Sequence, residues 1–201
     1  MRRWALLVLL TLAGCGYLIP ANNQTLDPAR LESGAYRLDP DHTALLWKVN
    51  HLGFTLYVGR FDHIQGSLDF DPEAPAASRL QVIVETASIG SVDPKLDSDL
   101  RGSGWFDAAT YPQIVFRSTA IDVTGKNTGR VTGDLTLHGV TRPMTLDVTF
   151  NGGATDIITG KYTLGFAATG TIKRSEFGVD DYVPAIGDEA QLEIYTEFLR
   201  R

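Results

Sequence analysis

The stretch Val131-Thr-Gly-Asp-Leu-Thr-Leu-His-Gly-Val-Thr-Arg-Pro-Met-Thr-Leu-Asp-Val-Thr-Phe150 decides the fold class. On its first arm Val131, Gly133, Leu135 and Leu137 alternate with Thr132, Asp134, Thr136 and His138. On its second arm Met144, Leu146, Val148 and Phe150 alternate with Thr145, Asp147, Thr149 and Asn151. A period of two places the apolar side chains on one face of a strand and the Thr/Asp set on the other. Gly139 and Pro143 bracket the connection, with Pro143 expected at a strand start, where it removes no ladder bond. The stretch therefore predicts an antiparallel hairpin with one dry face and one wet face.

Outward from this hairpin the same alternation recurs. It covers Thr43 to His51, Ile64 to Phe70, Leu80 to Ile89, Gln113 to Ala120, Tyr162 to Ile172 and Glu189 to Leu199. Tyr57 to Phe61 reads either as a turn of helix or as a distorted strand. One helix is predicted after Ser91, with Asp93 as N-cap, Pro94 as first helical residue, Leu96 and Leu100 on one face and Gly102 as the stop. About eight one-sided strands must close on themselves or pair as two sheets. Long strands and the glycines within them (Gly66, Gly133, Gly165, Gly170) favour an all-β, eight-stranded antiparallel barrel with one short helix.

Charge excludes one large class of functions. The net charge is -6, and it falls to about -8 when Arg2 and Arg3 are set aside. An acidic domain without a basic cluster does not suit nucleic acid, whose phosphates need clustered Lys and Arg. The first residues read as a targeting segment. Arg2-Arg3 precedes the apolar run Trp4 to Leu12, which is too short for the roughly 20 residues a bilayer span requires. Leu12-Ala-Gly-Cys15 resembles a bacterial lipobox, whose cysteine is acylated and becomes the new N-terminus. Cys15 is also the only cysteine, so no intramolecular disulfide can form. The expected organisation is a signal peptide over 1–14, a lipidated Cys15 with a flexible tether to 34, and a barrel domain over 35–201. The tether includes a candidate short helix around Pro28 to Glu32. The expected location is the periplasmic side of a bacterial membrane, and Gly16 after the cysteine slightly favours the outer membrane.

Several motifs carry a resemblance. They are Tyr36-x-Leu-Asp-Pro-Asp-His-Thr43, His51-Leu-Gly-Phe54, Gly59-Arg-Phe61, Trp105-Phe-Asp-Ala-Ala-x-Tyr-Pro112, the Gly133-Asp-Leu-Thr-Leu-His-Gly-Val-Thr141 core, Ile172-Lys-Arg-Ser-Glu-Phe-Gly178 and Gly187-Asp-Glu-Ala-Gln-Leu-Glu-Ile194. In this order, over about residues 35–199, the sequence resembles the YceI-like, polyisoprenoid-binding proteins. The resemblance implies a lipocalin-like barrel whose elongated interior holds an isoprenoid chain of quinone or polyprenyl type. The sequence departs from the family pattern at Phe54 to Val58 and in the short segment Val179 to Gly187, both near the expected cavity mouth.

Binding of this kind is driven by apolar burial. One five-carbon isoprene unit contributes roughly 3–4 kcal/mol gross. Micromolar affinity needs about 8 kcal/mol net, so a few buried units outweigh the association cost. The candidate lining residues are Trp47, Val49, Phe54, Phe61, Leu68, Phe116, Leu135, Leu146, Val148, Phe166 and Phe177. Each also reads as plain core. Arg60 and Arg174 are candidate head-group contacts, or else partners for nearby acids.

His42, His51, His63 and His138 lack metal-ligand spacing, so no metal and no cofactor beyond the lipid is expected. Asp39-Pro40-Asp41-His42 reads as turn chemistry. No nucleophile motif or phosphate-cradling loop is present, so no catalytic set is assigned. The sequence supports a lipid carrier, buffer or stress-response protein, or alternatively an interaction module docking a membrane complex through its outer face or the 173–187 loop. The oligomeric state is left open, a homodimer included.

Overall fold

The computed structural model describes residues 23–201. The apolar run, the lipobox-like motif and Cys15 lie outside the described residues. Ten strands and one α-helix follow in chain order: β1 (Gly34–His51), β2 (Thr55–Phe61), β3 (Ile64–Phe70), β4 (Arg79–Glu85), β5 (Ile89–Gly90), α1 (Pro94–Arg101), β6 (Gln113–Val123), β7 (Thr128–Leu137), β8 (Val140–Thr155), β9 (Tyr162–Lys173) and β10 (Ile186–Arg200). All pairings are antiparallel, and β10 pairs with β1 to close the ring. Eight strands make the closed barrel: β1, β3, β4 and β6 to β10.

The other two strands explain how the ring is finished at one end. β1 pairs with β3 only over Gly34 to Arg37, and from Leu45 onward it pairs with β2 instead. β2 in turn meets β5 only at Arg60 and Phe61. The gap between β2 and β4 is covered by α1 and the connector after it. Asp93 caps α1 by accepting from the Lys95 N–H at 2.9 Å, and Leu100 is buried. Arg101 donates from Nε to the Ala87 carbonyl and from Nη2 to the Ile89 carbonyl, at 2.8 and 2.9 Å, which ties the helix to the rim.

The founding hairpin is tighter than its sequence implies. Leu137 pairs with Val140, so the turn is His138-Gly139 alone, with φ of 50° and 76°. Two positive φ values match the twist of the flanking strands. Pro143 is therefore not a strand start but lies inside β8, opposite Asp134. It is tolerated because β9 pairs with β8 only from Asp147 onward, so Pro143 has an edge on that side. His138 holds the tip down, with Nδ1 3.1 Å from the Phe177 carbonyl and its ring edge-on to Tyr111 at 4.6 Å.

The second half of the expected tether is not free. Thr25 bridges to Gly153, with both backbone bonds at 3.0 Å. Pro28 to Arg30 form a 3-10 turn capped by Asp27. The fully buried Tyr36 donates its hydroxyl to the Glu32 carbonyl at 2.6 Å, and Glu32 pairs with Arg200. Leu26, Pro28 and Leu31 face the barrel interior. The segment lacks a period because it follows the barrel rim as irregular chain, and its apolar residues are placed by that path.

The two ends of the barrel differ. One end, called the anchor end because the expected tether enters there, gathers residues 23–33, the loops 71–78, 124–127 and 156–161, and the C-terminus. The far end gathers the β1–β2 turn, α1, the hairpin tip and the loop 174–185.

Candidate functional site

A cavity of about 710 Å³ runs through the barrel. That lies within the range of small-molecule sites, about 300–1,000 Å³. Its wall is the dry face of every barrel strand. On β10 the period-two set Ala190, Leu192, Ile194, Thr196 and Phe198 contributes, and on β8 the set Met144, Leu146, Val148 and Phe150. The lining runs from Lys126 and Pro28 at the anchor end to Trp105 and Tyr182 at the far end, so the space is continuous along the barrel. Inward glycines shape the wall. A Cβ on Gly133 would lie 2.5 Å from Phe116 Cζ, and one on Gly170 would lie 2.7 Å from Met144 Cε. These glycines make room for neighbouring side chains as well as sitting where the sheet curls.

The structure places nine of the eleven candidate lining residues on this wall: Trp47, Val49, Phe61, Leu68, Phe116, Leu135, Leu146, Val148 and Phe166. Phe54 is not among them. It is 86% exposed, because Leu52 and Gly53 (φ 54° and 76°) turn the chain outward before β2 starts. Phe177 is buried but lies off the wall, packed with the hairpin core around Leu135, Leu137 and Met144. Several lining groups escaped sequence reasoning. Leu96, Leu100, Trp105 and Phe106 enter from α1 and its connector, and the Leu96/Leu100 spacing was their one signal.

The cationic candidates separate cleanly. Arg60 is on the outer face, paired with Asp62 at 2.5 Å, and does not line the cavity. Arg174 does line it, at the far end, and is buried. It does not pair with an acid. Its Nε donates to the Gly187 carbonyl at 2.9 Å, Nη1 to Val179 and Asp181 at 2.8 and 3.0 Å, and Nη2 to Ile186 at 2.9 Å. A guanidinium has five N–H donors, so one on Nη2 is left over. Burial pulls the Arg174 pKa below its ordinary value, while Asp188, Asp180 and Asp181 act the other way. Its guanidinium carbon sits 5.5 Å from the Trp105 ring centroid, and Trp105 stacks on Tyr182 at 6.0 Å. The far end thus carries a cation on an aromatic pair, in a wall that is mostly apolar.

One further polar cluster lies on the outer surface. Asp39, His42 and Glu197 offer three donor atoms within 4.8 Å of one another, at a bulge in β1 on the outer surface. The Asp39 oxygens are already engaged. Oδ1 accepts from the Asp41 N–H at 3.2 Å, and Oδ2 lies 3.0 Å from His42 Nδ1. This is the side-chain-to-backbone chemistry of a turn. Hydrogen bonding to Asp39 raises the His42 pKa above 6.5. Partial burial pushes Asp39 up, but the bonds from His42 and Asp41 outweigh it and hold the carboxyl low. The raised histidine stabilises the fold fully below about pH 6.5 and loses that contribution as pH rises through its folded value. NMR titration is expected to show His42 above 6.5, and Asp39→Asn is expected to return it toward 6.5.

Residues 36–198 match the YceI-like domain. This chain belongs to the YceI-like family. It is 37% identical over 156 residues to a UPF0312 protein of Pseudomonas putida (strain W619), covering 77% of this chain and 81% of that one. A UPF0312 protein of Pseudomonas savastanoi pv. phaseolicola is 39% identical over 138 residues, covering 69% and 71%. Among solved structures, Burkholderia cenocepacia BcnA superposes on this YceI-like barrel with a TM-score of 0.73 at 28% identity, covering 80% of this chain and 98% of that one. A polyisoprenoid binding domain from Saccharophagus degradans shares the fold, with a TM-score of 0.64 at 15% identity, over 85% and 100% of the two chains.

Proposed function

We propose that the barrel binds one long-chain isoprenoid lipid, of quinone or polyprenyl type, and serves as a non-catalytic carrier or buffer on the periplasmic side of a bacterial membrane. The single observation that carries this reading is the mostly apolar cavity, whose lining runs from one end of the barrel to the other and so suits a long chain. The description of the Saccharophagus degradans neighbour as polyisoprenoid-binding supports the same ligand class. The remaining Nη2 hydrogen of Arg174 is the group we assign to a head-group oxygen, so the head lies at the far end and the tail fills the barrel. Acylation of Cys15 supplies the membrane anchor in this reading.

Native mass spectrometry of protein extracted from membranes tests it. A retained isoprenoid mass is expected, together with a diacylglyceryl mass on the peptide containing Cys15. Protein free of lipid that gains no thermal stability from added quinone or polyprenol would count against the ligand.

The interaction-module reading has one observation of its own. Leu56 and Val58 project from the outer face of β2, and Thr55 to Gly59 have no strand partner on the side away from β1. An unpaired edge with apolar side chains is a docking template. Pull-down from solubilised membranes that yields a partner and no lipid would favour it.

A further inference from the structure

We infer that the barrel stands on the membrane by its anchor end, and that the opening there, lined by Leu26, Leu31, Pro72, Pro75 and Lys126, is where lipid enters and leaves. The inference rests on the anchored reading proposed above for Cys15.

Reach is the first argument. Eight residue steps separate Cys15 from Asn23, the first described residue. Fully extended, they span at most about 28 Å. Asn23 lies at the anchor end, next to Thr25 and its bridge to Gly153. The 15 residues of β10 run about 50 Å along the strand, or roughly 40 Å along the axis at a barrel tilt near 40°. An inverted barrel would hold Asn23 farther from the bilayer than the tether can bridge. The far end therefore cannot face the membrane that holds Cys15.

Charge is the second argument. The far end carries the exposed acids Glu176, Asp180 and Asp181, none in an ion pair among the described residues, while Asp99 pairs with Lys95 and Asp93 caps α1. An anionic leaflet repels such a surface. At the anchor end Arg30, Lys126, Lys161 and Arg201 are exposed, and none is in an ion pair among the described residues. Acids are present there too, but several are engaged within loops. Asp71 accepts from the Glu73 and Ala74 N–H groups, Asp156 accepts from Ile158 N–H and the Thr159 hydroxyl, and Glu32 pairs with Arg200. Exposed apolar side chains stand at both ends, Val123 and Ile158 here and Phe54 and Val92 at the far end, so charge and reach, not apolar exposure, set the orientation. Val123 and Lys126 also line the cavity, so the docking surface is continuous with its lip.

The orientation gives the binding reading a direction. A lipid drawn from this leaflet enters head first, its head travels to Arg174 at the far end, and its tail follows into the apolar wall.

Hydrogen exchange of the full chain, in vesicles of phosphatidylcholine and phosphatidylglycerol against the same chain in detergent, tests the inference. Slower exchange in 124–127 and 156–161, with 52–56 and 91–93 unchanged, is the expected result. Neutralisation by Lys126→Gln and Lys161→Gln is expected to weaken that docking by roughly fivefold per cation, read from the protection. Protection at Phe54 and Val92, protection along one side of the barrel, or none at all would overturn it. The mass of the Cys15 peptide is read in parallel. Protection at the anchor end without a diacylglyceryl mass would remove the anchor and keep the orientation, whereas acylation without protection would do the reverse.

Discussion

Arg174→Met is expected to destabilise the barrel by about 3 kcal/mol, which is roughly 6–12 °C in Tm for a domain of this size. The reasoning starts from what the guanidinium holds. It donates to four backbone carbonyls, those of Val179 and Asp181 in the segment that joins β9 to β10 and those of Ile186 and Gly187 at the start of β10. Hydrogen bonds from a charged donor contribute about 1.5–3 kcal/mol each. The sum overstates the loss, because carbonyls near the surface regain water and methionine keeps part of the packing against Trp105. Arg174→Lys separates the planar fork from the charge. An ammonium is a point charge with no fork to span four acceptors, so the lysine variant is expected to lose nearly as much stability as the methionine one. Thermal and urea unfolding of both variants check this. A lysine variant as stable as the parent would mean that the charge matters at this position and the fork does not. Hydrogen exchange is expected to rise first in 179–187, since those carbonyls lose their shared donor together.

This site also marks where sequence reasoning ends. Alternation and turn chemistry made most of the fold legible. The hairpin, the helix from Pro94 to Arg101 and the closed sheet all rest on side-chain pattern, and pattern reports which face is dry. It does not report what lies beyond a turn. Phe54 lies outside the alternating stretches and reads as a wall residue from its apolar character alone, while two successive positive φ values at Leu52 and Gly53 swing it out. Phe177 carries no strand period because it ends a 3-10 turn, and its burial behind the wall depends on how that turn folds back on the hairpin. Arg174 was legible as a cation near the mouth. Its partners were not, because backbone carbonyls have no residue identity and nothing in the sequence separates a guanidinium that pairs with acids from one that gathers a loop. Leu26, Pro28 and Leu31 lay in a stretch without periodicity, where composition suggests a spacer. Only the pairing of Thr25 with Gly153 and the Tyr36 bond to Glu32 fix their path along the barrel rim.

Ala168→Trp is expected to abolish lipid retention while leaving the fold intact. Ala168 lies mid-strand on β9, in register with Val148 on β8 and Ile194 on β10, and all three line the cavity. Its short side chain leaves the interior open at that level. An indole there projects into space that the protein's own atoms do not fill, so it need not push neighbours off their rotamers. The fold is expected to hold or gain slightly, because new apolar surface is buried. The inward glycines give the opposite case. A side chain on Gly133 or Gly170 would begin within 3 Å of Phe116 or Met144, and Gly170→Trp is expected to overpack and destabilise the barrel. An indole takes the room of more than one isoprene unit. Excluding a single unit removes roughly 3–4 kcal/mol of burial, so affinity should fall at least about a hundredfold. Lipid extraction of the two purified variants, with thermal shift on added polyprenol, reads both effects. If the Ala168→Trp protein carries the same lipid in the same amount as the parent, the ligand does not run through the barrel.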